Sequence, residues 1–334
     1  MRARSANPVV VCCLLLLAAG CGPVEGGSAG LAASVGQDPA PDAAQDVPQG
    51  GMFDDAFVFQ VYEEAVEALD KGAGIRLPEP VPALLLTVEQ ARERRKAFAK
   101  ELEENAGLTS AMDLVADFVF EETMLGRYLP DEKALYIIEE VLERSSGGSR
   151  KRAEEMLFGV MAHELVHAYD DQIYQVMPDM SEVVKVAADG KRMPELQALM
   201  GLIEGRATYA AELACAHAGK RPLAGFTVEE ARRYNVMDPD DPDDVAASVG
   251  ASLVNVLART KLVQYAYGRE FAKAAFDFGG EKFFEQVFDH LPLSIPELED
   301  FNRFKLRWAA EIEAKMDALE EQGLIGPGDI GPSP

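Results

Sequence analysis

Two of the chain's four histidines lie four positions apart in the sequence HELVH, residues 163–167. On a helix, His163 and His167 would point from one face at a separation of about 40°, so both imidazoles can bind one metal ion. Glu164 would be offset by about 100°, which places its carboxylate beside the ion as a general base. The surrounding segment 156–169 is almost entirely apolar, where such groups are costly unless they are paired or bind metal. The spacing predicts a metal centre, and the alternative is two core histidines that hydrogen-bond to neighbouring groups.

A hydrolytic zinc site needs a third protein ligand and an open fourth position for water. Glu204 is our candidate, because it lies in a second apolar segment, 199–209, where an unpaired carboxylate would also be costly. Gly201 and Gly205 flank it, and such small residues allow two helices to approach closely enough for one carboxylate to reach a metal ion held by the other helix. The alternative is a glutamate that pairs with Arg206 or lies exposed at a helix edge.

Together these motifs resemble a known group of enzymes. HExxH at 163–167 followed by EGxA at 204–207 is similar to the gluzincin metallopeptidases, the zincin group that includes thermolysin and the zinc aminopeptidases. A longer series of blocks, in the same order over about residues 109–303, resembles more closely a set of uncharacterised bacterial predicted metallopeptidases. The further blocks are His167-Ala168-x-x-Asp171-Gln172, Tyr265-x-x-Gly268-x-x-Phe271 and Leu291-Pro292-x-Ser294.

The resemblance implies a zinc metallopeptidase that hydrolyses peptide bonds with a zinc-activated water. His163, His167 and Glu204 would bind one Zn²⁺ per chain, and Glu164 would be the catalytic base. Tyr265 would stabilise the tetrahedral oxyanion, as a tyrosine in a Tyr-x-x-Gly motif does in the aminopeptidases. Tyr267 is the other candidate for that role, and a core aromatic is the alternative for either tyrosine.

Two further residues fit a supporting role behind the ligands. Asp171 follows His167 by four positions and Thr208 follows Glu204 by four, so each would share a helix face with a ligand. An exposed acid is an equally good interpretation of Asp171.

Two departures limit the resemblance: the 36 residues between His167 and Glu204 form a longer insertion than usual, and the Gly-x-Met-x-Asn block of the aminopeptidases is absent. Aminopeptidase specificity is therefore not implied. The segment 294–297 reads Ser-Ile-Pro-Glu, whereas the related sequences usually place the glutamate one residue nearer the serine, so its role stays open.

The elements that must position these residues are mostly helices. The pattern predicts an α+β, predominantly helical fold, which the resemblance identifies as a zincin-like metallopeptidase domain with a small sheet and an active-site helix. Branched and aromatic residues over 134–138 predict a strand, either the edge strand that zincins use to bind extended peptides or a core strand. Residues 126–131 break the helical pattern. The predicted helices are 55–71, 87–105 with a capping box at Thr87 and Gln90, 109–123, 151–176, 194–218, 245–268 and 301–319.

The first twenty residues have the features of a bacterial lipoprotein signal peptide. Arg2 and Arg4 precede an apolar run over 9–19, which is too short to span a bilayer but fits the core of a signal peptide. The run ends in LAAGC, which resembles the lipobox whose cysteine, here Cys21, is acylated and becomes the new N-terminus. We expect a protein exported and lipid-anchored to the bacterial cell envelope, on the periplasmic side or in the outer membrane. An ordinary secretion signal is the alternative.

The remaining chain divides by composition. A flexible tether rich in Gly, Ala and Pro follows over 21–51. The zincin-like domain covers 52–325, with an N-terminal helical part and a catalytic core. Their predicted bounds are 52–108 and 109–325, and 326–334 is a disordered tail.

The net charge of the chain indicates which classes of partner it can bind. Against 32 Lys and Arg stand 57 Asp and Glu, and the net charge of −25 repels phosphates and makes nucleic acid an unsuitable partner. The expected partners are a peptide or protein substrate and, through the lipid anchor, a membrane.

Cys215 would be the only thiol left in the processed chain, and we interpret it as a core residue. The alternative function is a catalytically silent zinc-binding lipoprotein that acts as an envelope scaffold or interaction protein.

Overall fold

The computed structural model describes residues 53–94, 125–177, 192–223 and 263–322. Within these ranges the chain is mostly helical with one small sheet, so the predicted α+β class is confirmed. The helices are α1 Asp55–Ala68, α2 Glu139–Ser146, α3 Arg150–Tyr174, α4 Met193–Ala218, α5 Gly268–Gly279, α6 Phe283–Asp289, α7 Ile295–Glu299 and α8 Phe301–Glu321. Two π-helical segments are π1 Leu69–Ala73 and π2 Val263–Tyr267. The strands are β1 Ala83–Leu86, β2 Gly126–Leu129 and β3 Ala134–Ile138.

Side-chain caps fix where several helices begin. Asp54 accepts a hydrogen bond from the Phe57 N–H at 2.8 Å at the start of α1, and Ser149 accepts from the Arg152 N–H before α3. The predicted capping box is confirmed, since Thr87 Oγ1 accepts from the Gln90 N–H at 3.2 Å and Gln90 Oε1 accepts from the Thr87 N–H at 2.9 Å. The helix that it starts is described over 88–94.

The sheet has the order β1-β3-β2, with β1 parallel to β3 and β2 antiparallel to it. Every residue of β3 is buried, so the strand predicted over 134–138 is the central core strand of the sheet rather than an edge strand. Within the described part of the chain, β2 has one free edge. The sequence pattern did not predict β1 or β2, because each has only four residues and neither alternates clearly between apolar and polar positions.

Two apolar cores lie on either side of the middle of α4. The first joins α1, the sheet and the central part of α3 to the C-terminal half of α4, where Cys215 is buried as predicted. The second joins the first turns of α4 to π2 and helices α5–α8, and includes Trp308. Helix α4 therefore belongs to both cores, and Glu204 lies near its centre.

The long helices agree closely with their predicted bounds. The predictions 151–176, 194–218 and 301–319 correspond to α3, α4 and α8, whereas the helix predicted over 55–71 continues as the π-helical turn π1. The predicted signal peptide, Cys21, the predicted tether and tail and the helix predicted over 109–123 lie outside the described residues. Of the helix predicted over 245–268, the part from 263 is described and forms π2 and the first residue of α5. No helix in the described ranges has the length and apolar character needed to cross a bilayer.

Candidate metal centre

Helix α3 carries both histidines through the middle of the molecule. All residues from 157 to 168 are buried, so this helix has no exposed face over more than three turns. A helix that is buried on every side has to be surrounded by other elements. Here the surrounding elements include α1, α4 and β2. His163 and His167 are therefore held in fixed surroundings and not at a mobile surface.

The third predicted ligand meets the two histidines from α4. Glu204 Oε2 lies 3.3 Å from His163 Nε2 and 3.7 Å from His167 Nε2, and the two imidazole nitrogens are 3.0 Å apart. One donor atom from each of the three residues lies within 4.8 Å of the others. We refer to His163, His167 and Glu204 as the His/Glu cluster. The structure brings all three predicted ligands together from two helices, although 36 residues separate His167 from Glu204 in sequence.

The His/Glu cluster has the composition of a metal site. Two imidazole nitrogens and a carboxylate oxygen are the donors found in catalytic zinc sites, which leave one position open. All three side chains are buried, so the carboxylate is removed from water and needs a positive partner. A divalent cation within reach of the three converging atoms would meet that need, so these residues could hold a metal ion.

Glu164 lies between the two histidines in sequence but contacts a different element. Its Oε2 accepts a hydrogen bond of 2.7 Å from the backbone N–H of Tyr128 in β2. Its Oε1 is buried and has no hydrogen-bond partner in the described parts of the chain. The carboxylate is therefore anchored through one oxygen, and the other is available to a reacting group.

The structure separates the two candidate tyrosines. The ring of Tyr265 lies 6.0 Å from the ring of His163, whereas Tyr267 is buried in the second apolar core. Both belong to π2, a helical form that often occurs at functional sites. Of the two, Tyr265 is the one placed beside the His/Glu cluster.

The glycines next to Glu204 approach a different helix from the one we expected. A Cβ atom on Gly205 would overlap the carbonyl group of Gly268, and one on Gly268 would overlap the Gly201 carbonyl group. The close contact made by these glycines is thus with the start of α5, three positions after Tyr265, and not with α3. The small residues serve to bring the Tyr265 segment against the Glu204 helix.

The two predicted supporting residues have partners other than a ligand side chain. The Asp171 carboxylate accepts a 2.8 Å hydrogen bond from the Tyr128 hydroxyl. The Thr208 hydroxyl donates to the backbone carbonyl of Glu204 at 2.8 Å and not to its carboxylate. Asp171 is therefore linked to the site through Tyr128, and Thr208 through the backbone of α4.

A second buried polar cluster lies next to the first. Arg206 pairs with Asp170 of α3 and with Glu281, and we refer to these three residues as the arginine cluster. Glu204 was predicted to bind metal or to pair with Arg206, and the structure gives Arg206 these other partners. Burial lowers the pKa of the Arg206 guanidinium, and Glu281 partly offsets that change. Four aromatic rings surround the guanidinium, those of Tyr169, Tyr174, Phe284 and Phe288.

Sequence reasoning missed Tyr128, Asp170 and Glu281. Tyr128 contributes a backbone N–H, which no side-chain pattern reveals, and Glu281 lies 75 positions from Arg206. The one available signal was the charge of Arg206 and Asp170 inside apolar helical segments.

The other two histidines lie away from the His/Glu cluster. His217 is exposed near the end of α4. His290 Nδ1 lies 3.1 Å from Glu311 Oε2, and its ring is near Trp308.

The segment over 294–297, whose role was open, stabilises the chain locally: Glu297 accepts from the Leu293 N–H at 3.0 Å and pairs with Arg307.

Comparisons with known proteins add little to this site. No family model and no curated protein matches the chain. One solved structure, described as a "putative hydrolase with a novel fold" from Chloroflexus aurantiacus, is similar with 18% identity and a TM-score of 0.44. The match covers 75% of this chain and 89% of that one. Function has therefore to be inferred from the residues of the site.

Proposed function

We propose that this chain is a zinc-dependent metallopeptidase with a zincin-like domain of the gluzincin type. The observation that supports the proposal most strongly is the convergence of His163, His167 and Glu204, together with the adjacent Glu164, whose carboxylate the Tyr128 N–H anchors. Three donors of this type match a catalytic zinc site better than a structural one, which is closed by four ligands. The HExxH and EGxA motifs of the gluzincins would assign these same three residues as ligands and Glu164 as the base.

Each residue would have a distinct role in hydrolysis. His163, His167 and Glu204 would hold the ion, which supplies Lewis acidity toward a water molecule and a substrate carbonyl group. Glu164, anchored through Oε2, would accept a proton from the attacking water at Oε1 and later return it to the leaving amine. Tyr265, beside His163, would donate its hydroxyl hydrogen to the oxyanion that develops on the substrate.

A peptide-library digest of the full-length protein, with and without a chelator, tests this function. Glu164→Gln should retain the metal and lose turnover by about 100-fold or more, because a neutral amide cannot accept the proton. The matched control is Glu155→Gln, a partly exposed glutamate of the same helix that pairs with Arg221. Undiminished cleavage by Glu164→Gln would disprove the role of the base. Bound metal with no chelator-sensitive cleavage by the wild type would favour the scaffold function instead.

We also propose that the chain is exported and lipid-anchored at Cys21. The support is the basic start, the apolar run over 9–19 and the LAAGC sequence. Incorporation of labelled fatty acid should be abolished by Cys21→Ser and unchanged by Cys215→Ser. Equal labelling of wild type and Cys21→Ser would exclude the anchor.

A further inference from the structure

Tyr128 contacts α3 at two places. Its backbone N–H donates to Glu164 Oε2 at 2.7 Å, and its hydroxyl donates to Asp171 Oδ2 at 2.8 Å. Glu164 and Asp171 are seven positions apart, so their side chains leave the helix within about 20° of each other, two turns apart. One residue of the sheet therefore spans two turns of the metal-binding helix along a single face.

The register of the hairpin explains why this N–H is available. The Leu125 carbonyl accepts a backbone hydrogen bond of 3.0 Å from the Ile138 N–H, and Tyr128 is opposite Leu135. Backbone groups in an antiparallel pair alternate, so the Tyr128 N–H points away from β3 toward the outer edge of β2. It would be an unpaired edge donor without Glu164, and a buried unpaired donor is costly.

The side chain of Tyr128 fixes where that N–H lies. Tyr128 is buried in the first apolar core, and burial together with the Asp171 carboxylate raises the pKa of its hydroxyl. The hydroxyl thus keeps its proton and acts as the donor to Asp171. Loss of this bond would free one end of the contact between β2 and α3.

The two carboxylate oxygens of Glu164 therefore differ in their hydrogen bonding. Oε2 is occupied by the Tyr128 N–H, and Oε1 is buried with no hydrogen-bond partner among the residues described. A buried carboxylate oxygen without a donor is unfavourable in a resting protein. The arrangement makes sense if Oε1 is the oxygen that meets a reacting water.

We propose that Tyr128 and Asp171 are positioning residues for the general base: Asp171 holds Tyr128, and the Tyr128 N–H orients the Glu164 carboxylate so that Oε1 takes the proton. This rests on the proposed peptidase function for its catalytic consequence. The link itself, from Asp171 through Tyr128 to Glu164, concerns groups of this chain and can be measured without a substrate.

Amide hydrogen exchange measures the link directly. With ¹⁵N-labelled tyrosine the protein has at most nine tyrosine amide signals, and the signal lost in Tyr128→Phe identifies Tyr128. In Asp171→Ala this amide should exchange about tenfold faster, the factor that corresponds to one hydrogen bond. Asp171→Asn keeps an acceptor oxygen and should retain most of the protection. The matched control is Glu132→Ala, since Glu132 accepts from the hydroxyl of Tyr136 in β3, away from Glu164.

Steady-state kinetics and metal content measure the consequence. Asp171→Ala and Tyr128→Phe should each lower kcat about tenfold, with KM within about twofold and bound zinc unchanged, because a less well oriented Glu164 accepts the proton less readily in the transition state. Glu132→Ala should change neither. Wild-type protection of the Tyr128 amide in Asp171→Ala would overturn the proposal, and so would faster exchange with an unchanged kcat. If the wild type cleaves no peptide, the proposed function fails, and the exchange rates still decide whether Asp171 holds the donor to Glu164.

Discussion

Helices α3 and α4 are bridged by two buried polar clusters that differ in how their charges are balanced. The arginine cluster joins a permanently charged guanidinium to two carboxylates. The His/Glu cluster joins one carboxylate to two imidazoles, and these are donor groups that could hold a metal ion. Both are removed from water, in the same pair of helices and within three positions of each other along α3.

The difference separates a cluster suited to a structural role from one that could hold a metal ion. A guanidinium surrounded by carboxylates and aromatic rings carries its own cation and needs no ligand. Converging imidazole nitrogens and a carboxylate oxygen present donor atoms to a cation from outside the chain. We infer that the arginine cluster holds α3 and α4 together so that the His/Glu cluster is formed before metal binds.

The largest effect should follow from loss of the buried cation. Arg206→Met leaves the Asp170 and Glu281 carboxylates in aromatic surroundings, and should lower the free energy of unfolding by about 3–5 kcal/mol. Urea denaturation measures the change. Arg269→Met is the matched control, because Arg269 also joins two helices through a carboxylate, Glu212, but both side chains are partly exposed. It should cost about 1 kcal/mol or less. Equal losses in the two variants would contradict the special role of the arginine cluster.

Metal should stabilise the protein only through the His/Glu cluster. Free zinc at 1,000 times its dissociation constant should raise the free energy of unfolding by about 4 kcal/mol. His163→Ala removes a ligand and should abolish this increase, whereas His217→Ala, an exposed histidine of α4, should keep it. Thermal denaturation with and without zinc provides the measurement. An increase that survives in His163→Ala would place the metal elsewhere.

The tyrosine beside the His/Glu cluster should affect turnover and not stability. Tyr265→Phe removes one oxyanion donor and should lower kcat about 100-fold. Tyr267→Phe has the same chemical change in the second apolar core and should leave kcat unchanged. Kinetics of the two variants on one peptide would test this, and a larger effect for Tyr267→Phe would reverse the assignment.

The smallest expected effect follows from substitution of Gly205, which lies between Glu204 and Arg206 in sequence. Gly205→Ala would place a methyl group against the Gly268 backbone and should cost about 1–3 kcal/mol of stability, together with weaker zinc binding. In Gly159→Ala the three atoms nearest the new methyl group all belong to the Leu223 side chain, which can move more easily than backbone, so the cost should be lower. Denaturation and zinc titration of both variants make the comparison. A smaller cost for Gly205→Ala than for Gly159→Ala would show that the close helix contact is unimportant.

The sequence predicted the parts of this molecule that depend on local patterns. The bounds of α3 and α4, the strand β3 and the Thr87 cap all follow from periodicity, branched residues and capping chemistry. The three predicted ligands lie together in the structure, because HExxH spacing on a helix and a carboxylate in an apolar segment are local signals.

The features that the sequence did not predict depend on contacts between distant segments. The Tyr128 N–H reaches Glu164 only because β2 pairs with β3 in one register. Gly205 was expected to face α3 and instead faces Gly268, since its sequence context does not show which helix lies opposite. The partners of Arg206 come from α3 and from the turn after α5, which no spacing rule relates to Glu204.

Elemental analysis of the full-length protein would show whether the His/Glu cluster binds one metal ion. After loading with zinc and exhaustive dialysis, we predict about one zinc per chain for the wild type, since one three-donor cluster is formed in the described ranges. Glu204→Ala should lose most of it, and Glu212→Ala, a glutamate of the same helix that pairs with Arg269, should retain it. Absence of zinc in the loaded wild type, or equal zinc in wild type and Glu204→Ala, would show that the His/Glu cluster is not the metal site.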